Sequence, residues 1–380
     1  MKAAELLNYV PESILNALCI EYNVNHQVKK LDGLTMFQLL LYSFLTTREN
    51  SYRVMEEFYH SLAFAKLGNK IHKGVKYNSF RDRLIAINPS YFEAIFKYCF
   101  TKFESQLQTR QNIVLFDSTL VALSSKILEQ GIRINPQGNK RFIKFSMALK
   151  HVPIHAKVFT GQIYASEDVA LYKAITSCSL ADEDIVVFDR GISSRKVFES
   201  LSKDNYQFVT RLNPNARHKV IKQYTVPKDA SSHLKFESDQ QVELFDKQNK
   251  PTISYLRLIK CVDKNKQVPL VFLTNMKELT ALEVADIYRQ RWQIEVFFRF
   301  IKQQLNFSHL MSRNENGIKV ILYMTLISAI LLTVFKNANN LKGYKIPKLK
   351  LANQIEELII ADIVLKCGGD PSKINQIDDS

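Results

Sequence analysis

Two four-residue apolar runs in this chain lead directly into an aspartate: Ile113 to Phe116 into Asp117, and Ile185 to Phe188 into Asp189. Both runs are rich in β-branched and aromatic residues, so each suits a buried strand, and a buried strand is a costly setting for a carboxylate unless something offsets the charge. Such runs alternate here with helical stretches, which calls for an α/β sheet, where ligands gather at the carboxyl ends of strands. Two aspartates at such ends can share one site. The plainer reading is that strands often stop at Asp, which suits turns and caps. Neither aspartate alone decides between the two.

With 380 residues, 46% of them hydrophobic, the chain is long and apolar enough for two or three packed units. Residues 1–108 read as a helical domain, with helices expected at Leu34 to Leu45 and Tyr91 to Leu107. Between them lie Lys66, Lys70, Lys73, Lys76, Arg81 and Arg83, which fit either a DNA-binding head or a solvated basic face. Residues 109–335 read as the α/β part, with a polar, β-rich antiparallel insertion at about 213–268. Strand-like islands in it are expected at His233 to Phe236, Val242 to Phe245 and Thr252 to Val262. Leu282 to Leu305 reads as one long helix, and 336–380 as a helical tail.

The uncharged run Val320 to Phe335 would be about 24 Å long as a helix, short of the roughly 20 residues that a membrane span requires. A buried core helix is expected there, and no membrane. Charge points elsewhere: 52 Lys and Arg against 37 Asp and Glu give +15, which favours a polyanionic partner such as nucleic acid. The five cysteines are scattered without a C-x-x-C pair, which excludes a cysteine-ligated zinc finger and suits a reduced, cytoplasmic protein.

Chemistry concentrates near residue 290. Tyr288, Arg291, Glu295 and Lys302 fall within a stripe about 60° wide if the segment is one helix, at about 100° per residue. That stripe would offer a phenol, a guanidinium, a carboxylate and an ammonium to a line of phosphates. An ordinary Arg291–Glu295 pair at i,i+4 is the alternative, although the apolar neighbours leave little of this helix free for solvent. The stretch Ile132 to Ser166 carries Arg133, Lys140, Arg141, Lys144, Lys150 and Lys157 without an acidic residue, and reads as DNA-facing. His151 and His155 lack the carboxylates that would make a metal site. Trp292, the single tryptophan, is expected in the core rather than stacked on a base.

The pattern Tyr288-x-x-Arg291-Trp292-x-Ile294-Glu295-x-Phe297-x-x-x-x-Lys302 resembles the Tyr-Arg-Glu-Lys signature of bacterial insertion-sequence transposases of the DDE type. The resemblance extends to Asp117 in Phe-Asp-Ser-Thr and to Asp189 in Phe-Asp-Arg-Gly, and covers about residues 110–335; Ile192 stands where the family usually has an aromatic. It implies a ribonuclease H-like catalytic core with a β-rich insertion. It also implies Asp117, Asp189 and Glu295 as catalytic metal ligands, and phosphate contacts from Tyr288, Arg291 and Lys302. Three neighbouring carboxylates stay ionised only beside cations, and hard oxygen ligands select Mg2+ (or Mn2+), with two ions expected. The implied activity is cleavage and strand transfer at terminal inverted repeats, with double-stranded DNA as partner and a homodimer as the synaptic form. A nuclease of the same fold that does not join, or a non-catalytic DNA-binding descendant, remains open at this point.

Overall fold

A computed structural model describes residues 1–47, 50–66, 72–107, 112–123, 131–135, 140–226, 233–246, 248–252 and 255–371. Lys70 and residues 372–380 lie outside the described residues, as does the side chain of Lys66. The chain divides into two compact units, Thr109–Phe298 and Met1–Gln108 with Arg299–Ser380. The boundary expected near 335 therefore falls much earlier. The C-terminal helices join the N-terminal ones and do not form a separate tail.

The helical unit holds α1 (Ala3–Leu7), α2 (Glu12–Glu21), α3 (Gly33–Thr46), α4 (Tyr52–His60), α5 (Leu62–Lys66), α6 (Tyr77–Ala86) and α7 (Pro89–Ser105). The Asp32 side chain caps α3 through the Thr35 amide, and Pro89 opens α7 at the turn where its missing N–H costs nothing. The uncharged run forms the middle of a helix spanning Glu315–Ala338, which is long and apolar enough to cross a membrane. Its most apolar stretch is 89% buried, packed on α3, α6 and α7, so this helix is the core of the unit. Arg83 donates to the carbonyls of Leu31 and Val24, so it braces the unit and does not present its guanidinium to a partner. Lys73 and Lys76 are exposed.

The second unit is built on one nine-stranded sheet: β1 (Ile113–Ala122), β2 (Phe142–Leu149), β3 (Pro153–Phe159), β4 (Ile185–Val187), β5 (Gln207–Arg211), β6 (His218–Gln223), β7 (Leu234–Leu244), β8 (Leu256–Asp263) and β9 (Val268–Thr274). Their order is β3-β2-β1-β4-β5-β9-β8-β7-β6, with β1, β4 and β5 mutually parallel and the other pairings antiparallel. The polar segment is thus an antiparallel extension of the main sheet through β6, β7 and β8. The first two expected islands are parts of the single strand β7, which pairs with β8 from Leu234 to Val242 through a bulge between Phe236 and Ser238.

Side chains alternate across a strand, so Val114 and Phe116 on β1, Val186 on β4, Phe188 just beyond it, and Phe208 on β5 share one face. They pack there with α8 (Glu167–Thr176) and α9 (Arg195–Lys203). Phe188, Phe198 and Phe208 meet with ring centroids 5.8–6.5 Å apart and anchor that layer. The alternate positions point to the opposite face, and the charged groups are among them.

Candidate active site

Strand register brings the two aspartates together. Leu115 pairs with Val187 and Val187 with Val209 across the parallel strands β1, β4 and β5. Two residues further along each chain stand Asp117, Asp189 and Arg211, at one level and on one face. Neighbouring strands are about 4.8 Å apart, so the three side chains form a short row. β4 does stop before Asp189. β1 does not stop at Asp117 but runs on to Ala122 against β2, which leaves Asp117 beside the point where β4 has ended.

Each aspartate is held by a nearby amide. Ser118 N donates to Asp117 Oδ1 at 2.7 Å, and Gly191 N donates to Asp189 Oδ1 at 2.7 Å. A Cβ at Gly191 would come within 2.8 Å of that carboxylate oxygen, so a larger residue there would push the carboxylate aside. Burial pushes the Asp117 carboxyl up to about 7; the Ser118 amide and Arg291 act against this, while Asp189 and Glu167 add to it.

The segment that carries the remaining residues is two helices, α10 (Ala281–Arg289) and α11 (Trp292–Gln304), and not the single helix expected. Between them Arg291 N bonds Tyr288 O, Gln293 N bonds Gln290 O, and Ile294 N bonds Arg291 O, a tightened turn of i→i+3 bonds. The turn re-aims the stripe. Tyr288, on α10, packs its ring against Phe272 of β9, the register partner of Arg211, at 5.3 Å. Arg291 pairs with Glu295 and lies 3.8 Å from Asp117 Oδ2, with its guanidinium 5.9 Å from the Tyr288 ring. Burial works against the guanidinium's charge, but Glu295, Tyr288 and Asp117 hold its pKa above the usual arginine value. Burial also raises the Tyr288 phenol, against the lowering influence of Arg291 and Arg211. Lys302 lies in the last turn of α11, within the helical unit.

Arg211 escaped the sequence reading. Its Nε, like that of Arg291, is buried and without a hydrogen-bond partner among the described residues. The β-prone run Phe208 to Thr210 leads into it, but only the β4–β5 register places it beside the aspartates.

Two expected DNA contacts change character. Lys144 is 2% exposed, with its ammonium on Glu167 and the Ala165 carbonyl, so it cannot reach a phosphate. Lys150 is likewise buried in a pair with Asp184. A buried ammonium needs such a partner, and sequence alone does not reveal one 34 residues away. Lys140 is exposed, and the half-buried Arg141 donates to the Gly131 carbonyl. Trp292 is 54% exposed, against the expectation of a core residue. His155 bonds Ser177 Oγ, while His151 is exposed.

Among the described residues no three His, Cys, Asp or Glu side chains are grouped to hold a metal ion. The three expected ligands do not close on one point, because Arg291 engages Glu295 and stands beside Asp117. The donor set nonetheless fits a hard divalent cation. It is all oxygen, and a cation beside Asp117 and Asp189 would offset the ionisation cost now evident at Asp117.

Comparison with known proteins points to one family. A protein of Sinorhizobium fredii named as a transposase is 29% identical over 157 residues, 41% of this chain and 43% of the relative. A protein of Geobacillus stearothermophilus, named for insertion sequence element IS5377, is 27% identical over 150 residues, 40% of this chain and 39% of its own. The chain thus spans about two fifths of the length of these two relatives. A longer match, 24% identity over 270 residues, covers 67% of this chain and 72% of a Synechocystis protein named as a transposase of element IS4SA. The family described as Transposase DDE domain matches residues 108–331, more than half of the sequence and all of the sheet unit, and the chain belongs to that family.

Proposed function

We propose that this chain is a transposase that cuts DNA at the terminal inverted repeats of a mobile element and joins the freed ends to target DNA. The observation that carries this reading is the row Asp117, Asp189 and Arg211, with Arg291 between Asp117 and Glu295. The strand order β3-β2-β1-β4-β5 suits a core of the ribonuclease H type, with β6 to β8 as the insertion. Proteins of this family use divalent metal ions. Here Mg2+ or Mn2+, as two ions, would be held by Asp117, Asp189 and Glu295, and would lower the barrier for an oxygen nucleophile to attack a phosphorus.

The chain's own residues bind and orient the DNA. Arg211 and Arg291 would bind phosphate oxygens beside the carboxylates through the outer nitrogens of their guanidinium groups, with the Tyr288 ring 5.9 Å from that of Arg291. An incoming phosphate would draw Arg291 off Glu295 and so release that carboxylate for a cation. On the sheet unit Lys140 and Arg141 would add DNA contacts, and on the helical unit, taken by itself, Lys302, Lys73 and Lys76 would do so. Two copies acting on paired ends, in the bacterial cytoplasm at the nucleoid, complete the reading.

The test incubates the protein with labelled DNA of the element's own ends and Mg2+, and follows nicked and joined products in one reaction. Joined product that requires Mg2+ supports transposition. Nicked product without joining would make the protein a nuclease, and neither product would leave DNA binding alone.

A further inference from the structure

A single glutamate lies against both of the residues whose amides hold the aspartates, Ser118 and Gly191. Glu167 opens α8, behind the sheet face that carries Asp117 and Asp189. Its Oε2 accepts a hydrogen bond from Ser118 Oγ at 3.0 Å. The Ser118 amide is the group that fixes Asp117 Oδ1. On the other side, Glu167 packs so closely on Gly191 that a Cβ there would lie 3.1 Å from Glu167 Cγ. The Gly191 amide is the group that fixes Asp189 Oδ1.

The glutamate is itself anchored. Lys144 Nζ donates to Glu167 Oε1 at 2.9 Å and to the Ala165 carbonyl at 2.8 Å, with only 3% of the lysine side chain exposed. Ser146, directly opposite Ser118 in the β1–β2 register, bonds the same hydroxyl at 2.7 Å. Burying an ammonium is costly, and replacing such an ion pair by apolar groups is often neutral or stabilising. Fold stability alone therefore gives little reason for Lys144 and Glu167 to be here.

We infer that Glu167, held by Lys144, is a positioning residue that sets the spacing and orientation of Asp117 and Asp189. It acts from the far side of the sheet through Ser118 and Gly191. The inference rests on the reading of these two aspartates as cation ligands. Outer groups that orient metal ligands affect metal affinity by about 10–100-fold.

The test uses two double variants that leave no unpaired buried charge. Lys144→Met with Glu167→Ala removes the acceptor for Ser118, whereas Lys144→Met with Glu167→Gln retains one. Amide hydrogen exchange is measured in the metal-free protein, and Mn2+ affinity by electron paramagnetic resonance. In the Ala double variant, exchange at Ser118 and Gly191 should quicken about two- to tenfold, the range that a lost hydrogen bond represents. Protection in β7 and β8 should stay unchanged, Mn2+ affinity should fall about 10–100-fold, and the Gln double variant should recover most of both.

Unchanged exchange at Ser118 and Gly191 in a folded Ala double variant would overturn the inference. So would a Gln double variant as impaired as the Ala one, because the charge and not the hydrogen bond would then matter. A parent protein that binds no Mn2+ would instead strike at the proposed function, and the two amides would still decide the role of Glu167.

Discussion

Glu295 accepts a hydrogen bond from Arg291, the arginine that stands 3.8 Å from Asp117. The carboxylate that should complete a cation site is thus engaged by the residue that should grip a phosphate. In this arrangement DNA and metal cooperate, because a phosphate that takes up Arg291 also frees Glu295. Arg291→Ala should therefore tighten Mn2+ binding in the DNA-free protein, by up to about fivefold for a partly exposed pair of this kind. The same change should weaken DNA binding. Calorimetric titration with Mn2+, with and without DNA, checks both, and weaker Mn2+ binding in the variant without DNA would contradict the account.

A pH dependence follows from Asp117. Its carboxyl is pushed up to about 7 in the fold, mainly by burial, against about 3.9 in an unfolded chain. Between these values the folded form binds more protons than the unfolded one, so stability from this group falls as pH rises through about 4 to 7 and stays low above. In metal-free protein Asp117→Asn should raise Tm, more at pH 8 than at pH 5. Mn2+ should narrow that difference by stabilising the parent's carboxylate. Thermal melts at both pH values, with and without Mn2+, measure this.

Arg211 tests the phosphate contacts. Losing one charge-assisted contact should cost about 1.5–3 kcal/mol, or roughly ten- to a hundredfold in affinity for end DNA. If the contact is to a phosphate, Arg211→Ala should also reduce the slope of log affinity against log salt by about 1. Binding measured across a salt series gives both quantities. An unchanged slope would remove Arg211 from the DNA interface.

Trp292 separates surface from core. A buried aromatic truncated to alanine costs about 3–5 kcal/mol, the loss expected for Phe188→Ala or Phe116→Ala in the packed layer behind the aspartates. Trp292 is half exposed, so Trp292→Ala should cost well below that. Denaturant unfolding of the three variants would show it.

How far the sequence led can be followed residue by residue. Asp117, Asp189 and Glu295 stood out in the sequence because each carries a local sign, an apolar run into an acid or a spaced helical pattern. Arg211 needed the β4–β5 register, which local patterning does not contain. Lys144 and Lys150 looked like a basic surface because a partner across the sheet, Glu167 or Asp184, is invisible to composition. The turn between α10 and α11 holds neither Gly nor Pro, so no local signal interrupted the expected helix. The uncharged run was expected in the core on its short length, but the helix that holds it, Glu315–Ala338, is long enough to span a membrane. It is core because it packs on the N-terminal helices more than 200 residues away.

The most direct test compares cleavage of labelled end DNA with Mg2+ by the parent and by Asp117→Asn, Asp189→Asn and Glu295→Gln, with DNA binding measured alongside in the absence of metal. The account predicts that each substitution abolishes cleavage and joining while affinity for end DNA stays within a few-fold of the parent. Any one variant that still cuts at a substantial fraction of the parent rate would contradict it.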